Sequence, residues 1–268
     1  MTHQELYEQV IELKKSVNPE HYPELVSVLE YYIDEENLES VAYDLSAAMF
    51  DADATKAFPK NVSRFLISLY EDMIARGNFD AACDLGALYY KGRFGEIDFK
   101  KAVTYYTMAA THGSRQAQEN LGYCYYYGRD VEVNYQKAFH YFALGAFDGH
   151  LNSLYKIGDM YRNGYYVDKN PAEAFCIYNR CYEALTQEAI PLVGADIMLR
   201  MGDCYYEGIG TLPDWTEALL FYQRAEVWYY ERLQKGDHLI RRCYEKVIHR
   251  QEEVRKKRNL ELPAYNWV

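Results

Sequence analysis

Residues 82–113 read ACDLGALYYKGRFGEIDFKKAVTYYTMAATHG, and this stretch is written four times along the chain in one register. Its first glycine, Gly86, has counterparts at Gly122, Gly158 and Gly202. Each lies six residues before a second glycine (Gly92, Gly128, Gly164, Gly208) and sixteen before an alanine (Ala102, Ala138, Ala174, Ala218). Between them, at one fixed position, stands Asp98, Asn134, Asn170 or Asp214. The intervals are 36, 36 and 44 residues, so only the last carries an insertion. A period of this size made of two short helical patterns is the mark of stacked helix pairs.

The second unit shows how the pattern makes structure. Ala117, Leu121, Cys124 and Tyr125 recur at helical steps and form one apolar stripe. Gly122 sits inside that stripe, where glycine costs roughly 1 kcal/mol relative to alanine. Its recurrence implies a close approach that a side chain would block. Gly128 ends the helix, Asn134 caps the next, and in the third unit Pro171 follows its cap at the first helical position. The spacing predicts first helices over 78–91, 114–127, 150–163 and 194–207. Second helices are expected over 99–112, 135–148, 171–185 and 215–234. Connections as short as Ala110–Ser114 require successive helices to pack antiparallel. The eight-residue excess is placed at Thr186–Val193, as a loop or as an extension of the third unit's second helix that ends before Pro191.

Composition narrows the function classes. The 268 residues carry a net charge of −11, distributed as −10 over residues 1–80, −4 over 81–235 and +3 over 236–268. An acidic body repels a phosphate backbone, which argues against nucleic-acid binding. No apolar run reaches membrane-spanning length, and the start MTHQELYEQVIELKK lacks a signal-peptide pattern. The six cysteines form no C-x-x-C pair and are expected as reduced, buried thiols in a cytoplasmic protein. The seven histidines show no helical metal-pair spacing, and Gly208-Ile209-Gly210 follows a helix rather than a strand. No nucleophile elbow or Walker lysine is present, so neither catalytic residues, metal nor cofactor are expected. Tyrosine is abundant, 29 residues against 11 phenylalanines, as suits a thin core that needs rings with a wet edge. The basic segment Arg255–Arg258 is read as cations complementing a helix C-terminus.

The first unit, with Ala82, Leu85, Gly86, Tyr89, Gly92, Asp98, Lys101, Ala102, Tyr105, Ala109, Ala110 and Gly113, closely resembles the Sel-one-like repeat (SLR), a relative of the tetratricopeptide repeat. The resemblance covers about residues 78–235. It implies an all-α, right-handed α-α superhelix of antiparallel helix pairs, with units at 78–113, 114–149, 150–193 and 194–235. Residues 1–77 are then an acidic helical cap containing one degenerate repeat, with Gly77 lying 36 before Gly113, and helices are expected at 3–17 and 23–36. Residues 236–268 form a C-terminal capping helix, over 237–259, and the aromatic tail PAYNWV.

In such stacks the first helices line a concave face, reached by positions −3, +1, +4 and +5 from each anchor glycine. The resemblance thereby implies a groove containing Tyr90, Lys91, Glu119, Tyr123, Tyr126, Tyr127, Tyr155, Asp159, Arg162, Asn163, Asp203, Tyr206 and Glu207. Cys83, Ala87 and Leu199 share those registers. Tyrosines amid acidic charge suit a peptide or protein partner with basic residues. The expected function is a non-catalytic interaction scaffold. The alternative is a small-ligand or hydrolytic site in the concavity, and self-association through the C-terminal helix or tail is a further option.

Overall fold

A computed structural model of the chain describes residues 42–43, 60–235, 237 and 240–261, and all of its regular elements are helical. The expected helices at 3–17 and 23–36, the Asp51–Asp53 interruption and the PAYNWV tail lie outside the described residues. The chain divides into two compact units, one up to Val133 and one from Asn134. The first holds α1 (Lys60–Ala75), α2 (Asp80–Tyr90), α3 (Phe99–Thr111) and α4 (Arg115–Tyr127). The second holds α5 (Tyr135–Phe147), α6 (Leu151–Asn163), α7 (Pro171–Glu183), α8 (Ala195–Glu207), α9 (Trp215–Gln234) and α10 (Arg241–Glu261). In each unit, helices consecutive in the chain pack on one another.

The repeated residues set the helix ends. The side chains of Asp98, Asn134 and Asn170 each accept from the backbone N–H three residues on, at 2.9, 2.9 and 3.1 Å. Asp214 accepts from both Thr216 and Glu217. Each cap satisfies a donor that a helix start leaves without an intrahelical partner. Asn134→Ala should cost about 1 kcal/mol, read by urea denaturation. At the other end Gly128, Gly164 and Gly208 close α4, α6 and α8 with φ of 68°, 75° and 72°. Only glycine enters that left-handed region without a Cβ penalty.

The anchor glycines make room for a ring. An ideal Cβ on Gly158 or Gly202 would lie 2.6 Å from the ring of Tyr178 or Tyr222, and one on Gly86 would lie 2.8 Å from Tyr106. That aromatic stands twenty residues after its glycine each time, and the side chains of Tyr178 and Tyr222 are fully buried. The glycine's intrinsic cost is thus offset by an aromatic face lying flat against the first helix. Burial pushes the thiols of Cys83, Cys124, Cys181 and Cys204 up to about 12, so they pack as small apolar groups, and no disulfide links the six cysteines.

The loops of the second, third and fourth repeats each sit on the start of the preceding repeat's second helix. Arg129 stacks over the Phe99 ring at 4.8 Å. Tyr165 stacks on Tyr135 at 4.3 Å, and Tyr166 meets Phe139 at 5.5 Å. Gly210 lies so close to the carbonyl of Pro171 that no Cβ would fit.

The insertion differs from expectation. The second helix of the third repeat, α7, stops at Glu183 after 13 residues, as α3 and α5 also have. A π-helical turn, Ile190–Gly194, then passes through Pro191 and runs directly into α8. The excess is therefore a short turn up to Ala189, and its remainder lengthens the following first helix at its N-terminus. Proline is tolerated there because the first turn has no intrahelical use for its missing N–H. Arg232 on α9 donates to the Leu192 carbonyl at 3.4 Å and ties the turn down.

Candidate interaction face

In the first unit, the registers drawn as a binding face carry Tyr90 and Lys91 at the end of α2, and Glu119, Tyr123, Tyr126 and Tyr127 on α4. Cys83 and Glu119 are buried, Ala87 and Tyr90 are half-buried, and Lys91 is exposed. Tyr90 leans edge-on against Phe99 at 5.1 Å. The three α4 tyrosines reach the surface. Tyr123 and Tyr126 are half-buried and Tyr127 is 47% exposed. Tyr127 stacks with Tyr123 at 6.4 Å, meets Tyr126 edge-on at 4.8 Å and has the Arg129 guanidinium 5.7 Å away. The result is a pre-ordered aromatic surface.

The same registers in the second unit are closed. Tyr155, Asp159, Leu199, Asp203 and Tyr206 are buried, Arg162 is half-buried, and only Asn163 and Glu207 are exposed. Asp159 on α6 receives Nε and Nη2 of Arg200 on α8, both at 2.6 Å, Lys156 Nζ at 3.2 Å and the Tyr178 hydroxyl at 2.8 Å. Burial would raise its carboxyl, but Arg200 and Lys156 beside it hold it well below the usual carboxylate range. Arg200 also covers the Tyr155 ring at 4.1 Å.

One repeat later the arrangement recurs around Asp203. The Tyr222 hydroxyl donates at 2.9 Å, Lys246 of α10 at 2.6 Å and Arg162 at 3.1 Å. Against the desolvation of its buried site, Lys246 and Arg162 lower the Asp203 carboxyl. Glu207 is held between Arg162 at 3.0 Å and Arg250 at 2.6 Å. Lys246 thus does for Asp203 what Arg200 does for Asp159. The basic C-terminal helix occupies the place a further first helix would take. Its cations Arg250 and Lys257 lie over the Tyr206 ring at 4.5 and 4.1 Å.

This corrects the groove as drawn from the sequence. Tyr155, Asp159, Asp203 and Tyr206 form an interior seam between successive first helices and do not line an open surface. The acidic charge of Asp159, Asp203 and Glu207, expected to attract a basic ligand, is neutralised by the chain's own Arg162, Arg200, Lys246 and Arg250. The sequence signal for this was an aspartate directly after the third and fourth anchor glycines, each with a tyrosine nineteen residues on. Among the described residues no three His, Cys, Asp or Glu side chains gather as a metal site would need, and no helix is long and apolar enough to cross a membrane.

An all-α chain of helix pairs with capped second helices and ring-packed glycines is a helical repeat protein. The family model described as Sel1 repeat matches residues 79–114, 115–150, 151–178 and 195–226, and the chain belongs to that family. No curated protein matches it. Among solved structures, a Sel1 repeat protein from Oxalobacter formigenes is 22% identical, with a TM-score of 0.58, 92% of this chain covered and 95% of the other. A protective antigen present in uropathogenic Escherichia coli strains, displaying an SLR fold, is 17% identical with a TM-score of 0.54, and the match covers 96% of this chain and 56% of the antigen. At these identities the likeness speaks for the fold. Proteins of the Sel1-repeat family are in general protein–protein interaction scaffolds.

Proposed function

We propose that this chain is a non-catalytic scaffold that docks a protein or peptide partner on the tyrosine surface of α4. The observation that carries this reading is the contrast between the two units. The first-helix registers are sealed by ion pairs around Asp159 and Asp203, whereas on α4 they present Tyr123, Tyr126 and Tyr127 outward. Tyrosine supplies large contact area from a side chain that loses little freedom, and interface hot spots favour it.

Because the acidic residues of the second unit are engaged internally, aromatic contact should dominate recognition and binding should change little with salt. A pull-down with the full chain should retain a partner whose affinity falls at least about tenfold in Tyr126→Ala and Tyr127→Ala. Lys137→Ala, on α5, should leave the affinity unchanged. Equal retention by all three variants would remove the α4 surface from the reading.

A further inference from the structure

One register position sets the first unit apart. The residue that follows each second-helix cap is a ring: Phe99, Tyr135, Pro171 and Trp215. Each ring is covered. Arg129 lies over Phe99, Tyr165 over Tyr135, Gly210 against Pro171, and Lys257 lies 5.2 Å from Trp215. One period of 36 residues before Phe99 the chain places Ser63, in the second turn of α1. Where the other repeats hold a ring, the structure has a cavity of about 600 Å³. Ser63 lines it, is only 7% exposed, and its buried hydroxyl has no hydrogen-bond partner.

The walls fit a flat apolar body. Ile67 stands where Phe139 and Phe175 stand in later repeats. Phe94, from the loop that would close on the missing ring, meets Tyr89 edge-on at 5.0 Å. The rim adds charge. Lys60 and Arg64 come from α1, and Lys100 and Lys101 from the first turn of α3. Lys101 leans on the Tyr89 ring at 4.6 Å, and no carboxylate lies in salt-bridge range of any of these four among the described residues. The contrast with Arg162, Arg200, Arg232 and Arg250, all paired with carboxylates, is plain. Three acids, Glu96, Asp98 and Asp130, stand against the four cations, and Asp98 is held at the start of α3 as its cap.

We propose that this cavity binds an aromatic anion, a ring carrying a carboxylate or phosphate group. The ring takes the space vacated at Ser63 and the anion meets Arg64 and Lys100. The site is separate from the α4 tyrosines and does not depend on the scaffold reading.

The probe is phenyl phosphate, titrated calorimetrically into the full chain. Saturable binding is expected, at least about tenfold tighter than for phenol or inorganic phosphate alone, since both halves of the ligand are recognised. Ser63→Phe restores the ring found in the other repeats and should abolish binding while helix content, read by circular dichroism, is kept. Arg64→Glu and Lys100→Glu, both at exposed positions, should each weaken binding by more than about tenfold, and they decide the matter if Ser63→Phe does not fold. A blocked Glu-Phe-Glu peptide distinguishes the source. Tighter binding than phenyl phosphate assigns the cavity to an acidic segment of a partner, and weaker binding assigns it to a free aromatic acid. Failure of both probes, or binding unchanged in Arg64→Glu and Lys100→Glu, overturns the proposal.

Discussion

Arg200→Met should destabilise the chain by about 3–5 kcal/mol. The physical reason is the carboxylate left behind. Asp159 is buried and accepts both of the short guanidinium bonds, so removing Arg200 leaves a charge for which Lys156 and the Tyr178 hydroxyl are incomplete compensation. Replacing both members, as Asp159→Leu with Arg200→Met, should recover part of the loss, because the apolar pair has no desolvation of its own to repay while Lys156 and the Tyr178 hydroxyl lose Asp159. Chemical denaturation of the two variants measures this, and a double variant no better than Arg200→Met would sink the argument.

The same carboxylates set the acid limit. Asp159 and Asp203 have folded-state values lowered from those of an unfolded chain, so the unfolded state binds protons more readily. Their contribution is complete above the ordinary carboxylate range near pH 4 and is lost as pH falls below it. Wild-type stability should therefore fall steeply in acid, and the Asp159→Leu/Arg200→Met chain should show a shallower slope.

Gly202→Leu should cost about 3 kcal/mol or more. A Cβ there already meets the Tyr222 ring at 2.6 Å, and a leucine would force the ring off its seat. Displacing Tyr222 also takes its hydroxyl from Asp203, which adds an unsatisfied buried acceptor to the steric cost. The two effects share one residue, so Gly202→Leu and Tyr222→Phe should be strongly non-additive. A melting temperature unchanged in Gly202→Leu would show that the ring is free to move and that the glycine serves no packing purpose.

Much of the architecture was legible in the residues because its determinants are local. A cap aspartate or asparagine, an αL glycine six residues after the anchor and an apolar stripe at helical steps need no tertiary context to act. The second helices accordingly begin where their caps predict, at Phe99, Tyr135, Pro171 and Trp215. Pro191 misled because proline marks a boundary without saying on which side the helix lies. It was read as the end of one helix and instead belongs to the turn that begins the next.

The candidate site was less legible, for a different reason. A register position states which side of its own helix a residue occupies, and says nothing of what covers that side. Asp159 and Glu119 occupy the face assigned to them and are buried nonetheless. The partners that seal Asp159 and Asp203, namely Arg200 and Lys246, lie 41 and 43 residues away and carry no motif of their own. The period, the caps and the glycines are contained in the sequence alone, since each acts within one or two turns of chain. Which tyrosines stay at the surface, which carboxylates are neutralised from within and where Ser63 leaves a ring's space unfilled were decided by packing between repeats, where contacts distant in sequence become neighbours.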